Sequence, residues 1–558
     1  MTKGSIWQLY PQQLNLSKKI AKLLNCLPVI GQLMLNRSIH SIDAANHFIN
    51  QSWDHWPPLP NQDKCIQVIK ELIEEKKPLI VYGDYDVDGV TSTAILVDIL
   101  RKAGNPVDFI APHRFNDGYG LNMNRMAEIA KKNYAGLITI DCGVSNYDEI
   151  NQLKTENPDI KVIIIDHHKC PAKLPPADAI VNPQLAPDDH PAHHLCSAAL
   201  IDYIFRTTPL AGINTDDYID LAAIGLVSDV MPLTNLNRWY VKKGLDAIKT
   251  NPRPAILELC IKARINHQTI TTRDIGFGIG PRLNAPGRLG DPKPVVELLL
   301  STDINTIQEQ IQAIEKLNNR RRNIGEKIQQ DIESQLEDDT SISEQKGIIC
   351  AGQFWHMGVI GINASKLVNK FNKPAIVIGF DGDIARGSAR SVPGINIYNI
   401  IKKCAPNLDH FGGHSQAAGF SLKPTNIIEF KKTFIKYCNE IEAESTVPRL
   451  QIDTELTLNQ INLEFINELE KLEPHGEGNP KPIFYSRVKL VDARKVGKTN
   501  AHLKCRFEQD GTIIDGIGFN LGETLSTITK QEIQIVFNVS KNEFRGTITP
   551  QIELIEIK

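Results

Sequence analysis

Paired cysteines and long apolar runs are both missing from this sequence of 558 residues. The 10 cysteines are scattered and none forms a C-x-x-C pair, which excludes a zinc ribbon or a redox motif and predicts reduced thiols. No run approaches the ~20 apolar residues that cross a bilayer. The opening residues, MTKGSIWQLYPQQ, have no apolar core. We therefore expect no signal peptide, no membrane partner and a cytoplasmic location.

An excess of charge of one sign is missing as well. The formal net charge is −3, so the chain has no overall basic field that would attract a polyanion. A local basic groove remains compatible with that value. At roughly 100–200 residues per domain, the length predicts about three or four domains.

Residues 78–185 alternate short apolar segments with helical ones. The apolar segments PLIVYGD, VDFIAPHR, AGLITIDCG and DIKVIIIDHH are separated by predicted helices. Strands that are apolar throughout and alternate with helices indicate a parallel sheet that is buried on both faces.

Three further blocks follow along the chain. Residues 303–340 repeat isoleucine and leucine at helical spacing, which predicts a long helix joining two lobes. A coiled coil is the alternative, but residues 318–323 interrupt the apolar stripe. Residues 345–440 have the pattern of a second α/β domain, and residues 450–558 that of an all-β barrel or sandwich.

Carboxylates and imidazoles follow the carboxyl ends of three predicted strands. They are Asp84, Asp86, Asp88, Asp141, Asp166, His167 and His168, with Asp229 at the end of a later helix. Ligands bind beyond these strand ends in parallel α/β sheets, so we expect the groups to converge. Such an oxygen-rich set suits Mg²⁺ or Mn²⁺ better than structural zinc. Any one aspartate is also explained as a helix N-cap, and an EF-hand loop would need glutamate where Ile95 stands.

The succession D-x-D, a strand-ending aspartate, D-H-H and a later aspartate resembles the DHH phosphoesterases. RGSARS (386–391) and FGGHSQAAGF (411–420) resemble the DHHA1 domain of that superfamily. GFGIGPRLNAPGRLG (276–290), WHMGVIGINASKL (355–367) and LEPHGEGNPKPIF (472–484) are similar to its bacterial exonucleases for single-stranded DNA. The resemblance spans nearly the whole chain after residue 60. Val87 and Pro286 depart from the usual family residues, and neither is an expected ligand.

The resemblance implies an α/β protein with two lobes, a DHH parallel-sheet domain and a DHHA1 domain, joined by a long helix and followed by an all-β OB-fold-like domain. The expected boundaries are 1–64 for an N-terminal helical segment, 65–300 for DHH, 301–342 for the connecting helix, 343–445 for DHHA1 and 446–558 for the OB-fold-like domain. The implied activity is a metal-dependent 5′→3′ exonuclease that degrades single-stranded DNA to 5′-mononucleotides, in recombination and repair.

By the same resemblance, two divalent ions, Mn²⁺ or Mg²⁺, are cofactors. The expected ligands are Asp84 and Asp141 for one ion, and Asp86, Asp141, His167 and Asp229 for the other. Two dications would neutralise the crowded carboxylates and clamp the attacking water and the phosphoryl oxygen.

Three more residues are expected to serve the reaction. His168 would face the scissile phosphate, although a structural hydrogen bond is the alternative for it. Asp166 would orient an imidazole. Asp88 lies outside the D-x-D pair and would help to position the metal ligands without being one of them.

The resemblance also implies where DNA is held. The expected substrate-binding residues are Arg114, Arg282, Asn284, Ser388, Arg390, Gly412, Gly413 and His414, with a 5′-terminal phosphate on Arg114, Arg282, Ser388 and Arg390. Arg288 and Arg386 are further candidate cations, because arginine matches phosphate geometry. In the C-terminal block the candidates are Lys489, Arg494, Lys495, Lys498 and Lys504 for the backbone and Phe507 for base stacking. A narrow passage between the lobes would exclude duplex.

Other functions remain open at this point. A phosphodiesterase for short oligonucleotides or cyclic dinucleotides shares the metal residues, and a DNA-binding scaffold without catalysis is a further alternative. A pyrophosphatase of the superfamily would carry histidine where Ile80 stands. A RecQ-type helicase and a single-strand-binding protein are the expected partners, and a monomer is the expected state.

Overall fold

The computed structural model describes residues 5–50, 56–115, 117–118, 120–441, 449–528 and 531–558. A five-stranded parallel sheet is the centre of the first lobe. Its strands lie in the order Val107–Ile110, Leu79–Tyr82, Gly136–Ile140, Lys161–Ile165 and Ala179–Val181. All four pairings are parallel, which confirms the predicted sheet. The strands are apolar because helices cover both faces.

The helices of the first lobe continue well past its sheet. They are Gln62–Glu75, Val87–Lys102, Met123–Ala130, Tyr147–Glu156, Ser197–Thr207, Ile219–Ser228, Asn235–Thr250, Pro254–Ala263, Thr272–Asp274, Gly280–Leu289 and Lys293–Leu300. The first of them crosses the predicted boundary at residue 64 and packs into the core of this lobe. A π-helical turn, Ile275–Ile279, precedes Gly280–Leu289.

One helix of 35 residues, Ile304–Asp338, connects the two lobes. Ile307 and Ile311 pack in the core of the first lobe, while Ile328 and Ile332 pack in the second. The apolar stripe that offered a coiled coil as an alternative is therefore covered by this chain's own lobes. The helix continues through the polar residues 318–323, of which Asn318 is buried.

The second lobe contains a mixed sheet. Its order is His410–Gly413, Ala417–Leu422, Ile384–Arg390, Ala375–Asp381 and Ile348–Gln353, and the helices are Ser341–Glu344, Ile360–Phe371, Ile397–Lys403 and Ile427–Asn439. The last two strands in that order pair in parallel, and the other pairings are antiparallel.

The C-terminal domain is a six-stranded sheet that closes on itself. Its order is Thr454–Glu455, Phe484–Val496, His502–Gln509, Thr512–Gly518, Thr547–Ile557 and Glu532–Phe544, with the helix Leu463–Glu470 beside it. A further pairing joins Phe484–Val496 to Glu532–Phe544 and makes the barrel that was expected of an OB-like fold.

The N-terminal segment packs against this barrel. It comprises the strand Ile6–Leu9 and the helices Leu14–Leu24, Pro28–Asn36 and Ile42–Asn50. The strand pairs in parallel with Arg449–Ile452, and apolar side chains of the helices share one core with the barrel. Among the described residues, no helix has both the length and the hydropathy needed to span a bilayer.

Candidate metal centre and nucleic-acid interface

The strand-ending acids converge at one edge of the parallel sheet. Three sets of ligand atoms lie within 4.8 Å of one another: Asp84, Asp86 and Asp141; Asp88, His167 and Asp229; and Asp141, His167 and His168. We call Asp84, Asp86, Asp141, His167 and Asp229 the acidic cluster. Parallel strands bring Asp84, Asp86, Asp141 and His167 together because their carboxyl ends all lie at this edge. Asp229 is added from the C-terminal end of the helix Ile219–Ser228.

Asp141 lies at the centre of the acidic cluster. His167 Nε2 is 3.1 Å from Asp141 Oδ1 and 3.7 Å from Asp229 Oδ2. Ser197 Oγ also donates to Asp141 Oδ1, at 3.1 Å. Asp141 has a φ of 60°, in the left-handed region that aspartate tolerates better than most residues. A central position is compatible with the bridging role that the resemblance implies for Asp141, which stays a prediction.

Burial and mutual repulsion both act on the carboxylates of the acidic cluster. Asp84 and Asp141 are each 2% exposed, and Asp84 Oδ1 is buried without a hydrogen-bond partner among the described residues. Burial, and next the neighbouring Asp86, raises the pKa of Asp84. Burial, and next Asp88, raises the pKa of both Asp141 and Asp229. A hard divalent cation fits this donor set, because oxygen ligands dominate it.

Asp88 differs from its neighbours because its carboxylate is satisfied by backbone. It accepts from Ser197 N at 2.7 Å and from Ala198 N at 3.0 Å, at the first turn of Ser197–Thr207. A carboxylate at a helix N-terminus is stabilised by the unpaired N–H groups there. The contact fixes the helix that carries Ser197 beside Asp141, which is compatible with the supporting role predicted for Asp88.

Asp166 and His168 form a coupled pair at the edge of the acidic cluster. His168 Nδ1 is 2.8 Å from Asp166 Oδ1, and Asp166 also accepts from Val144 N at 3.0 Å. Burial alone would lower the pKa of His168, but the hydrogen bond and charge of Asp166 raise it to about 9. Burial would raise the pKa of Asp166, yet His168 lowers it. Asp166 therefore favours the protonated form of His168. In His167, burial and then His168 lower the pKa, which favours the neutral ring that a metal needs.

Three arginines gather beside the acids; we call Arg114, Arg288 and Arg390 the arginine cluster. Arg114 lies over the ring of Tyr85, with 4.3 Å from its Cζ to the ring centroid, and its buried Nε has no hydrogen-bond partner among the described residues. Arg390 Nη1 donates to Ser388 Oγ at 3.0 Å, and Arg288 Nη1 to the carbonyl of Gly358 at 3.2 Å. Burial, and next Arg114, lowers the pKa of Arg288 to about 9. An anion such as phosphate would relieve this repulsion.

Other predicted substrate residues take different positions. Arg282 donates to Glu315 Oε2 at 2.8 Å and to the carbonyl of Gly278 at 2.7 Å, so its guanidinium is already engaged. Gly412 and Gly413 lie in the strand His410–Gly413, and Gly413 has a φ of 139°. Burial lowers the pKa of His414, and the charges of Arg390 and His168 lower it further.

The prediction that Phe507 stacks on bases is wrong. Phe507 is fully buried in the barrel core. Along His502–Gln509 it shares the inward face with Leu503 and Cys505, and this alternation was visible in the sequence. The side chain therefore stabilises the barrel. Two of the candidate cations already have partners, since Lys495 pairs with Glu523 and Lys504 with Asp515.

Comparison with known proteins decides the family. Residues 78–226 match the DHH family N-terminal domain, residues 344–440 the DHHA1 domain and residues 452–556 the RecJ OB domain. The single-stranded-DNA-specific exonuclease RecJ of Haemophilus influenzae is 33% identical over 522 residues, which are 88% of this chain and 90% of that protein. The chain belongs to the RecJ family. RecJ of Bacillus subtilis is 32% identical over 554 residues, with 98% of this chain and 70% of that protein covered.

A solved RecJ structure has the same architecture. The crystal structure of RecJ from Thermus thermophilus in complex with Mn²⁺ superimposes with a TM-score of 0.86 at 25% identity, and covers 99% of this chain and 79% of that one. A second structure, of the same protein in complex with Mg²⁺, has a TM-score of 0.79 at 23% identity and shares the fold. The expected assembly of DHH, DHHA1 and OB-like domains is thereby confirmed for this member of the RecJ family.

Proposed function

We propose that this chain is a divalent-metal-dependent exonuclease that degrades single-stranded DNA from its 5′ end to 5′-mononucleotides. The observation that carries the proposal is the crowding of like charges in the acidic cluster, at the carboxyl edge of the sheet, with the arginine cluster close to it. Related proteins named single-stranded-DNA-specific exonucleases, and RecJ structures in complex with Mn²⁺ and Mg²⁺, support it.

The acidic cluster would hold two divalent ions, with Asp84 and Asp141 on one and Asp86, Asp141, His167 and Asp229 on the other. When bound, such ions supply a nucleophile at neutral pH and stabilise charge on the phosphoryl oxygens. His168, held as a cation by Asp166, is placed to donate to a phosphate oxygen as negative charge develops. Water adds to phosphorus, the P–O3′ bond breaks, and O3′ receives a proton.

The arginine cluster supports the 5′→3′ polarity. Arg114 and Arg390 would bind a terminal phosphate with Ser388, whose hydroxyl already contacts Arg390. A doubly charged 5′-phosphate satisfies more guanidinium N–H groups than an internal diester does. Only a 5′ end would then place its first linkage at the acidic cluster.

Selectivity for single strands has a steric basis in this proposal. The two lobes touch beside the arginine cluster, where Phe115 and His356 have ring centroids 5.4 Å apart and Arg288 donates to the carbonyl of Gly358. The connecting helix fixes their separation. A passage closed in this way would admit one strand. Degradation of blunt duplex as fast as single strand, without a helicase, would refute this part.

Roles in recombination and repair, with a RecQ-type helicase and a single-strand-binding protein, belong to the same proposal. So do a monomeric state and a cytoplasmic location. Co-purification with either partner and the mass in solution test these statements.

The deciding experiment uses long single-stranded DNA labelled at the 5′ or the 3′ end, with Mn²⁺ or Mg²⁺. We expect immediate release of labelled 5′-mononucleotide, while the 3′ label persists on shrinking strands. Cleavage confined to strands of a few nucleotides would instead favour the small-substrate phosphodiesterases. Asp141→Ala is the inactive control, and binding of DNA without any cleavage by the wild type would favour the scaffold.

A further inference from the structure

One serine hydroxyl contacts the acidic cluster from outside the set of expected metal ligands. Ser197 is the first residue of the helix Ser197–Thr207 and is fully buried. Its Oγ donates to Asp141 Oδ1 at 3.1 Å. An ionised carboxylate can only accept hydrogen bonds, so the hydroxyl is the donor in this contact. This hydrogen bond therefore acts on the acid that both ions are expected to share.

The backbone of the same serine is held by a second acid. Ser197 N donates to Asp88 Oδ2 at 2.7 Å, and Ala198 N donates to Asp88 Oδ1 at 3.0 Å. Asp88 lies in the first turn of the helix Val87–Lys102, for which Asp86 is the N-cap. These two hydrogen bonds fix the turn that carries Ser197 against the segment of an expected metal ligand, Asp86.

A third helix packs closely on this turn. A Cβ at Gly225, in the helix Ile219–Ser228, would lie 2.7 Å from Asp88 Oδ1 and 2.8 Å from Ala198 Cβ. A side chain at this position would displace one of them, so the close approach requires glycine. The helix ends at Asp229, its C-cap residue. One packed contact therefore joins three segments that carry expected metal ligands.

Asp141 needs such a restraint for two reasons. Its backbone φ of 60° is in the left-handed region, and such a conformation persists only where the surroundings hold it. Its Oδ1 also lies 3.1 Å from His167 Nε2. In the tautomer that binds a metal, Nε2 carries no proton, so its lone pair repels Oδ1 until a cation lies between them. The hydrogen bond from Ser197 offsets this repulsion and favours the arrangement that is ready for an ion.

We propose that Ser197 is a positioning residue of the metal centre, whose hydroxyl holds the carboxylate of Asp141 in the orientation that binds divalent ions. Ser197 acts through Asp141 and is not itself a ligand. Without the hydroxyl, Asp141 Oδ1 would take its hydrogen bond from His167 Nε2–H, the tautomer that cannot bind a metal. The inference rests on the metal binding within the proposed function, and on neither its DNA substrate nor its polarity.

Isothermal titration calorimetry of Mn²⁺ into chelator-treated, dialysed protein tests the inference. For Ser197→Ala we expect the dissociation constant of Mn²⁺ to rise by about 10- to 100-fold, because hydrogen-bond partners of metal ligands typically contribute this much. The number of ions bound at saturation should stay as in the wild type. Release of mononucleotide from single-stranded DNA is then measured against Mn²⁺ concentration. Its half-maximal concentration should rise by the same factor, and excess Mn²⁺ should restore the rate, whereas a purely structural defect would lower the rate at every Mn²⁺ concentration.

Matched variants complete the test. Ser92 is also fully buried, but its Oγ donates to the carbonyl of Gly89 at 3.0 Å rather than to an acid. Ser92→Ala therefore removes the same group and should bind Mn²⁺ as the wild type does. Ser197→Thr retains the hydroxyl and should bind Mn²⁺ more tightly than Ser197→Ala.

Two results would overturn the inference: an unchanged Mn²⁺ affinity in Ser197→Ala, or the same loss of affinity in Ser197→Ala and Ser92→Ala. A wild type that binds Mn²⁺ but releases no mononucleotide would refute the proposed function alone. A wild type that binds no Mn²⁺ would refute both.

Discussion

The acidic cluster and the arginine cluster present the same electrostatic problem with opposite signs. In the first, burial and neighbouring carboxylates raise the pKa of Asp84 and Asp141. In the second, burial and neighbouring guanidinium groups lower the pKa of Arg288 to about 9. In each cluster, burying like charges close together is unfavourable in free energy, and a bound counter-ion reduces that penalty.

The two clusters differ in how they are built. The acids, all but Asp229, follow adjacent strands of one sheet, and their ligand atoms approach within a few ångströms, so they suit a resident ion that several ligands share. Arg114, Arg288 and Arg390 come from three distant segments and both lobes. The comparison indicates that the acids hold permanent cofactors, whereas the arginines hold the phosphate of a substrate that must leave after each cycle.

Asp141→Asn should give the largest effect. Asparagine tolerates the left-handed backbone but removes the central charge, so we expect kcat/KM to fall by about 10³-fold or more. In chelator, the same variant should melt roughly 2–4 °C above wild type, because a buried like charge is gone. Differential scanning calorimetry measures the second effect. A variant that is less stable in chelator would contradict the account of unneutralised charge.

Arg390→Ala tests the other cluster. Removing one of the proposed phosphate ligands should weaken binding of a 5′-phosphorylated strand by about 10- to 150-fold, since hydrogen bonds to charged groups are strong. The affinity for a strand with a 5′-hydroxyl should fall much less on the same substitution. Fluorescence anisotropy in Ca²⁺, which slows cleavage, provides both affinities. Equal losses of affinity for the two strands would show that Arg390 does not bind the terminal phosphate.

Asp88→Asn tests whether Asp88, which accepts from two backbone N–H groups, differs from Asp141 in its effect on stability. Its two backbone donors, Ser197 N and Ala198 N, would compete for one remaining oxygen, leaving one N–H unpaired. We expect a loss of about 1–3 kcal/mol in the free energy of unfolding, measured in urea with chelator. The same substitution therefore destabilises at position 88 and stabilises at position 141. Stabilisation at both positions would show that Asp88 is another unpaired acid.

Lys498→Ala should have the smallest effect. This exposed lysine is a candidate contact of the C-terminal domain with one DNA phosphate. Loss of one such contact should change the slope of log affinity against log salt by about 0.7, with cleavage of bound strands unaltered. Affinities at several salt concentrations provide the slope. An unchanged slope would show that Lys498 does not contact a phosphate of the bound strand.

The acids were predictable from the sequence because secondary structure alone brings them together. Each follows an apolar strand, and parallel strands end at one edge, so Asp84, Asp141 and Asp166 needed no knowledge of distant contacts. The long helix was predictable for a similar reason, since its apolar stripe has helical period over 35 residues.

Features that depend on packing between segments were not predictable in this way. Arg321 lies in a run of three arginines, and only the fold shows that this one lines a cleft with Val87 and Val230. Glu315 engages Arg282 across two helices, which no local pattern indicates. The N-terminal helices share a core with the C-terminal barrel, and Ile6–Leu9 pairs with Arg449–Ile452, far apart in the chain. Phe507 is different, because its inward position followed from strand alternation.

The number of Mn²⁺ ions bound per chain tests the central claim most directly. Equilibrium dialysis against Mn²⁺ at neutral pH, followed by metal analysis, should give two ions for the wild type, as in two-metal phosphoesterase sites. Asp141→Asn, which removes the proposed bridge, should bind at most one, while Arg390→Ala should still bind two. Two ions in Asp141→Asn would contradict the claim that the acidic cluster is a shared site for two resident cations.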